Sequence, residues 1–173
     1  MTVNQIQDEL GTRFRAAMAG VCSPVAVVTS RDGDRPHGTT VSAFMSLSMD
    51  PPMIAVALDQ HSDLLSIVKR HRRFGVNVLS SGQHDVAMAF ARKGAAKFDG
   101  TVWTESSGVP VIDRVAGWVA CEVTELVPGG DHTVVFGSVV AVGAHDSPPL
   151  TYHARTFGTH LPHPGGTRGG ESS

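Results

Sequence analysis

Residues 37–49 read His-Gly-Thr-Thr-Val-Ser-Ala-Phe-Met-Ser-Leu-Ser-Met and run directly into Asp50-Pro51-Pro52. At a repeat of two, Val41, Ala43, Met45, Leu47 and Met49 share one face of an extended chain, while Thr40, Ser42, Ser46 and Ser48 share the other. The first set predicts a face buried in a core. Serine is a poor strand former, and a merely solvated face usually carries Thr, Lys, Glu or Arg. A face of small hydroxyls therefore suggests hydrogen bonding to something that needs room.

Four other sites carry candidate chemistry, each with a structural alternative. Ser62 stands where a strand gives way to a helix, so it either caps that helix or helps present free N–H groups to a phosphate, with Asp63 opposing an anion. His132 follows a Gly-Gly-Asp turn, where an imidazole is either solvated or available to a ligand. Tyr152, His153, Arg155 and Phe157 place aromatic, imidazole and guanidinium groups within six residues. That set suits a planar anionic ligand or simply a surface strand. Lys69 to Arg73 is a basic cluster, which either meets phosphates or complements the C-terminal dipole of a helix.

The elements that must position these groups are mostly strands. Ile6, Leu10, Phe14 and Met18 mark an amphipathic helix over residues 5–19. Strands are predicted over 24–29, along the hydroxyl-bearing run, and over 53–58, 74–79, 118–127 and 133–142. Short helices follow Ser62-Asp63 and span residues 83–93, and a low-complexity tail begins near His160. Strands and helices do not alternate regularly, so a small antiparallel barrel decorated by helices is expected rather than a doubly wound α/β fold. A single domain over residues 1–158 and a disordered tail over 159–173 follow.

Composition narrows the function. The 173 residues carry a net charge of −2, which gives no general attraction to nucleic acid or anionic lipid. The longest apolar runs are too short to cross a bilayer, and the first ten residues lack the basic and apolar regions of a signal peptide. A cytoplasmic protein is expected, with Cys22 and Cys121 as buried free thiols. No G-x-G-x-x-G or G-x-x-x-x-G-K-[ST] loop occurs, and no C-x-x-C or H-x-x-x-H pair suggests a metal site.

Four segments, in order, resemble the flavin reductase domain family, the small reductase components of two-component monooxygenases. They are Gly38 to Phe44 continuing to Asp50-Pro51-Pro52; Phe74 to Leu79 with Gln83, Phe90-Ala91 and Lys97-Phe98; Gly130-Asp131-His132; and Pro149 to His153 with Phe157-Gly158. The likeness spans roughly residues 10–158. It implies a split β-barrel of Greek-key type, usually a homodimer with flavin near the subunit interface. It also implies that FAD (or FMN) is reduced by NADH (or NADPH) and passed to a partner monooxygenase.

Carried across by residue, the resemblance places Thr39, Thr40, Val41, Ser42 and Ala43 against the isoalloxazine ring, with Ser46 farther along the same run. Asp59, Gln60, His61 and Ser62 would approach the ribityl chain and phosphate, although Gln60 and His61 depart from the family's smaller or cationic residues. Ser80, Ser81, Ala91, Lys97 and Phe98 would complete the flavin site. His132, with Tyr152, His153, Ala154, Arg155 and Phe157, would serve the nicotinamide nucleotide. On this reading Thr40 and Ser42 hold the ring edge and His132 orients the nicotinamide. A flavin-loaded carrier that does not release flavin remains an alternative. So does a non-catalytic barrel binding a planar ligand such as haem through His132 or His153.

Overall fold

The computed structural model describes residues 2–94 and 96–163. In chain order the elements are α1 (Val3–Ala19), β1 (Ser23–Pro24), β2 (Ala26–Asp32), β3 (Arg35–Val41), β4 (Phe44–Met49), β5 (Pro52–Asp59), α2 (Asp63–His71) and β6 (Arg73–Val78). There follow α3 (His84–Ala91), a short 3-10 helix (Ala96–Phe98), β7 (Trp103–Ser106), β8 (Val109–Ile112), β9 (Gly117–Gly129), β10 (His132–Ala144), β11 (Leu150–His153) and β12 (Thr156–Thr159).

Seven antiparallel strands form the main sheet in the order β3-β2-β6-β9-β10-β5-β4. Its two margins, β3 and β4, are consecutive in the chain and are joined only by Ser42 and Ala43. The sheet therefore curls until its margins meet at that link. This is the antiparallel barrel expected from the strand pattern, in the split form that the resemblance implies. The interior is a continuous apolar cluster that includes Val28, Val56, Leu58, Phe74, Val76 and Val135, with Leu64, Leu65 and Val68 of α2. The side chains of α2 that join the cluster come from its one apolar face.

A second cluster lies on the other face of β2. Val25, Val27, Leu79, Ile112, Val115 and Leu150 meet Ala87 and Phe90 of α3. The β7–β8 hairpin is held over this face by Asn77, which is fully buried on β6. Its amide oxygen accepts from Ile112 N at 2.8 Å, and its nitrogen lies 3.2–3.3 Å from Val27 O, Thr29 Oγ1 and Pro110 O. Gly75 must lack a Cβ here, because one would sit 2.7 Å from Thr29 Oγ1.

Several expectations need correction. The run from His37 to Met49 is two strands: the chain turns at Ser42-Ala43, so alternation does not carry through. Met45, Leu47 and Met49 consequently face outward, at 57%, 37% and 81% exposure, while Phe44 packs on the interior cluster. The apolar stripe of α1 is likewise uncovered, with Leu10 at 66% and Phe14 at 63%. Both cysteines are free, but only Cys121 is buried, and burial pushes its thiol up to about 12. Cys22 is exposed because the chain there is leaving α1 for the short β1.

The helices predicted over 5–19 and 83–93 form over Val3–Ala19 and His84–Ala91, and β12 reaches Thr159, one residue past the expected domain end. The expected tail lies mostly outside the described residues. Among the described residues, no helix is long and apolar enough to cross a membrane, and no group of His, Cys, Asp and Glu side chains could hold a metal ion.

Candidate active site

A cleft of about 490 Å³ opens at one end of the barrel. One wall is β3 from Pro36 to Thr39. The opposite wall is the end of β5 and the start of α2, with Asp59, His61, Ser62 and Leu64. The third side is the segment after α3, with Ala91 to Gly94, Lys97 and Phe98. The cleft thus spans the two sides of the sheet that only the Ser42–Ala43 link connects.

Each wall has a local cause. On β3 the odd-numbered residues His37 and Thr39 turn away from the α3 layer, whereas Gly38 and Thr40 turn toward it. A Cβ on Gly38 would lie 2.8 Å from Phe90, so only glycine lets α3 come this close. Thr40 Oγ1 donates to Ala87 O at 2.7 Å, which pins β3 to α3. The donor proton expected to meet a ligand edge is therefore used inside the chain. Lys97 completes the joint: its Nζ donates to Gly38 O and to Phe90 O, both at 3.1 Å. Burial lowers its ammonium below the usual lysine range, with the charge of Asp63 opposing that shift. Phe98 stands edge-on to Phe90, at 4.8 Å between ring centroids, and fixes the floor of this side.

On the opposite wall, Asp59 Oδ1 accepts from His61 N at 2.7 Å and Asp59 O accepts from Ser62 N, closing a turn into α2. Ser62 caps the helix by accepting from Leu65 N at 3.1 Å, so the capping reading of this serine holds. His132 reaches the same end of the barrel because it pairs with Asp59 across the β5–β10 ladder. Gln60 is tied in by donating its N–H to Asp131 O. His132 Nδ1 lies 2.8 Å from Asp131 Oδ1, and that contact holds the Asp131 carboxyl below the usual range.

The structure thus brings Thr39, Asp59, His61, Ser62, Ala91, Lys97 and Phe98 onto one cleft, with Gln60 and His132 at its edge. Val41 packs on the barrel interior, and Ser42, Ala43 and Ser46 are exposed at the corner and along β4. Ser80 and Ser81 sit before α3 and bond to the Pro148–Pro149 segment, outside the cleft lining. Tyr152, His153, Ala154, Arg155 and Phe157 belong to the β11–β12 hairpin, which pairs with β1 and is also outside it.

His37, Arg92 and Lys93 line the cleft but escaped the sequence reading, and Asp63, read there as opposing an anion beside Ser62, lines it too. His37 had a signal, since it stands two residues before Thr39 on a strand. Burial, then the nearby Arg35, lowers its imidazole below the ordinary value. The basic cluster after α2, by contrast, is committed elsewhere: Arg70 and His71 hold Asp32, Arg72 donates to Val123 O, and Arg73 pairs with Glu122.

A cleft with one apolar, ring-fixed floor, hydroxyl and backbone groups on its strand wall, and cations on its lip fits a flat heterocycle carrying a charged chain. Residues 18–160 match the family described as flavin reductase like domain. The chain is 39% identical over 147 residues to the actinorhodin polyketide dimerase of Streptomyces coelicolor, covering 83% of each chain. It is 36% identical over 148 residues to the reductase component of 4-hydroxyphenylacetate 3-monooxygenase of Thermus thermophilus, covering 83% of this chain and 93% of that one. Among solved structures, an NADH:FAD oxidoreductase of Streptomyces globisporus in complex with NAD and FAD fragments superposes with a TM-score of 0.82 at 25% identity. That match covers 87% of this chain and 93% of the other.

Proposed function

Because the chain belongs to the flavin reductase like domain family, we propose that its cleft binds FAD and that NADH reduces the flavin there. The protein is an enzyme, an NAD(P)H-dependent flavin reductase, and it supplies reduced flavin to a partner monooxygenase. The observation that carries the FAD assignment is the cleft itself, in which ring-sized apolar and polar walls converge beside unpaired cations.

When bound together, the two coenzymes supply the hydride chemistry, from the nicotinamide C4 to the flavin N5. This chain's residues have to position and polarise. Gly38 and Lys97 fix the spacing between β3 and α3, and so the width of the cleft. Thr39 and the β3 backbone offer hydrogen bonds to the ring edge, where charge develops on reduction. His132, anchored by Asp131 at the mouth, orients the nicotinamide nucleotide. Positioning of this kind supplies about 7–11 kcal/mol of a barrier without any nucleophile or general base.

Oxidation of NADH, followed by loss of its near-ultraviolet absorbance, is expected to depend on added FAD. It should be slower with FMN or with NADPH, and absent without flavin. No flavin-dependent oxidation under any combination would overturn the reading. A preparation that is yellow as isolated and ignores added flavin would assign the chain to flavin-loaded carriers instead.

The enzyme works as a homodimer on this reading. Ile6, Leu10, Phe14 and Met18 form an uncovered stripe on a helix that packs closely along no other element among the described residues. A 17-residue helix is marginal alone. With Met45, Leu47 and Met49 of β4 also outward, the chain exposes apolar surface of the kind that marks an interface. A second copy would also bring groups outside the single-chain cleft, such as the β11–β12 hairpin, within reach of a bound flavin. Phe14→Glu is expected to convert a dimer to monomer in size-exclusion chromatography with light scattering. An unchanged dimer would remove α1 from the interface.

A further inference from the structure

We propose that a slot beside the β7–β8 hairpin, apart from the flavin cleft, is a second ligand site, for a flat uncharged aromatic molecule that carries an oxygen acceptor. The inference is independent of the reductase reading, since nothing in it requires turnover.

A cavity of about 330 Å³ opens there, and it shares no lining residue with the flavin cleft. That volume lies at the lower end of small-molecule sites and admits one or two rings. Its floor is apolar: Val111 and Ile112 of β8 are buried, and the half-buried indole of Trp118 on β9 lines the same space. The floor is also fixed. Asn77 Oδ1 accepts from Ile112 N at 2.8 Å and Thr29 Oγ1 donates to Pro110 O at 2.7 Å, so the hairpin stands at a set distance from the sheet. On β10, a Cβ at Gly143 would collide with the indole, so glycine there gives the ring its room. A slot already formed needs little further ordering when it fills.

The second argument is the set of polar groups around this floor. The Trp118 indole N–H, the Thr104 and Ser106 hydroxyls and the His145 ring belong to lining residues and make no hydrogen bond among the described residues. An indole buried on one side ordinarily finds a partner for its N–H. Three donors around one apolar slot suit an oxygen acceptor on an aromatic ring.

The third argument is charge. Arg114 Nε lies 3.5 Å from Asp113 Oδ2, so the guanidinium and the carboxylate on the rim offset one another. A nucleotide phosphate meets no unpaired lysine or arginine here, whereas Arg92, Lys93 and Lys97 line the flavin cleft. The coenzymes are therefore drawn to the cleft, and an uncharged ring is what the slot accepts without leaving a charge uncompensated.

Coumarin, a flat two-ring lactone without charge, is the probe. With the enzyme labelled at its indole nitrogens, Trp103 and Trp118 give two N–H signals, assigned with Trp118→Phe. Coumarin is expected to move the Trp118 signal saturably and the Trp103 signal less, and saturating FAD should leave the coumarin affinity unchanged. Thr104→Phe, which fills the slot from an exposed strand position, should weaken coumarin binding by about tenfold or more. Thr104→Val keeps the shape and loses the hydroxyl, and should weaken it by about three- to fivefold. The valine variant carries the test even if phenylalanine disturbs the hairpin. A Trp118 signal that coumarin leaves in place, as a second copy seated over the slot would cause, would overturn the proposal. So would displacement of coumarin by FAD, a larger shift at Trp103 than at Trp118, or unchanged affinity in both Thr104 variants.

Discussion

Asn77→Ala is expected to lower the stability of the fold by about 3–5 kcal/mol, the largest effect of any single polar truncation here. The side chain is wholly buried, and its amide serves the β7–β8 hairpin at two points while crossing to β2. Truncation leaves the Ile112 N–H without a partner in a site water cannot reach, and it removes a donor from Val27 O and Thr29. Each buried orphan costs about 1–3 kcal/mol, and the vacated volume adds to that. Thr29 Oγ1 would still donate to Pro110 O at 2.7 Å, so the hairpin should loosen rather than detach. Urea unfolding of the two proteins checks this. A loss below about 1 kcal/mol would mean that the hairpin is held by apolar contact alone.

Lys97→Met is expected to raise the KM for FAD by about tenfold or more while leaving the fold intact. Methionine keeps the apolar stem, but the two hydrogen bonds from Nζ to Gly38 O and Phe90 O disappear. A hydrogen bond from a charged donor contributes about 1.5–3 kcal/mol when dry, and less here because the group is only partly buried. The consequence is geometric: β3 and the end of α3 are no longer held at one spacing, and the cleft between them widens. Lys97→Arg should recover little, since a planar guanidinium does not replace a compact ammonium bridging two carbonyls. An unchanged FAD KM in Lys97→Met would show that the Thr40–Ala87 bond and the Phe90–Phe98 contact fix the wall without it.

Much of this fold was legible in periodicity. The β9–β10 hairpin, the α2 cap at Ser62 and the apolar faces of β2 and β5 all follow from local residue choice. The break at Ser42-Ala43 did not, because alternation continues in the letters while the backbone changes direction. Its apolar residues were then assigned to the core, although Met45, Leu47 and Met49 face out. Neither the uncovered stripe of α1 nor the β4 face can be distinguished from a core face by composition, since an interface and an interior demand the same side chains. The β7–β8 hairpin escaped because its tether, Asn77, is a single polar residue inside an apolar strand.

In the candidate site, the segments at Thr39, Asp59 to Ser62 and Lys97-Phe98 were found through a resemblance spread over the chain. Spacing alone would have chosen the wrong face of β3, because the hydroxyl of Thr40 looks available until α3 is placed against it. Arg92 and Lys93 belong to none of the motifs that suggested chemistry, and only the folded chain sets them on the cleft.

The link at Ser42-Ala43 leaves the barrel with a seam, closed by two residues of covalent chain where every other pair of neighbouring strands is laced by hydrogen bonds. The cleft lies across that seam, with β3 on one bank and the end of β5 on the other. Whatever fills it becomes a clasp, and its binding energy adds to the cohesion of the sheet as well as to occupancy. The free barrel should breathe most readily along this line. With the cleft as the proposed flavin site, release of reduced flavin would amount to unfastening the wall, which joins product departure to the looseness of the protein itself.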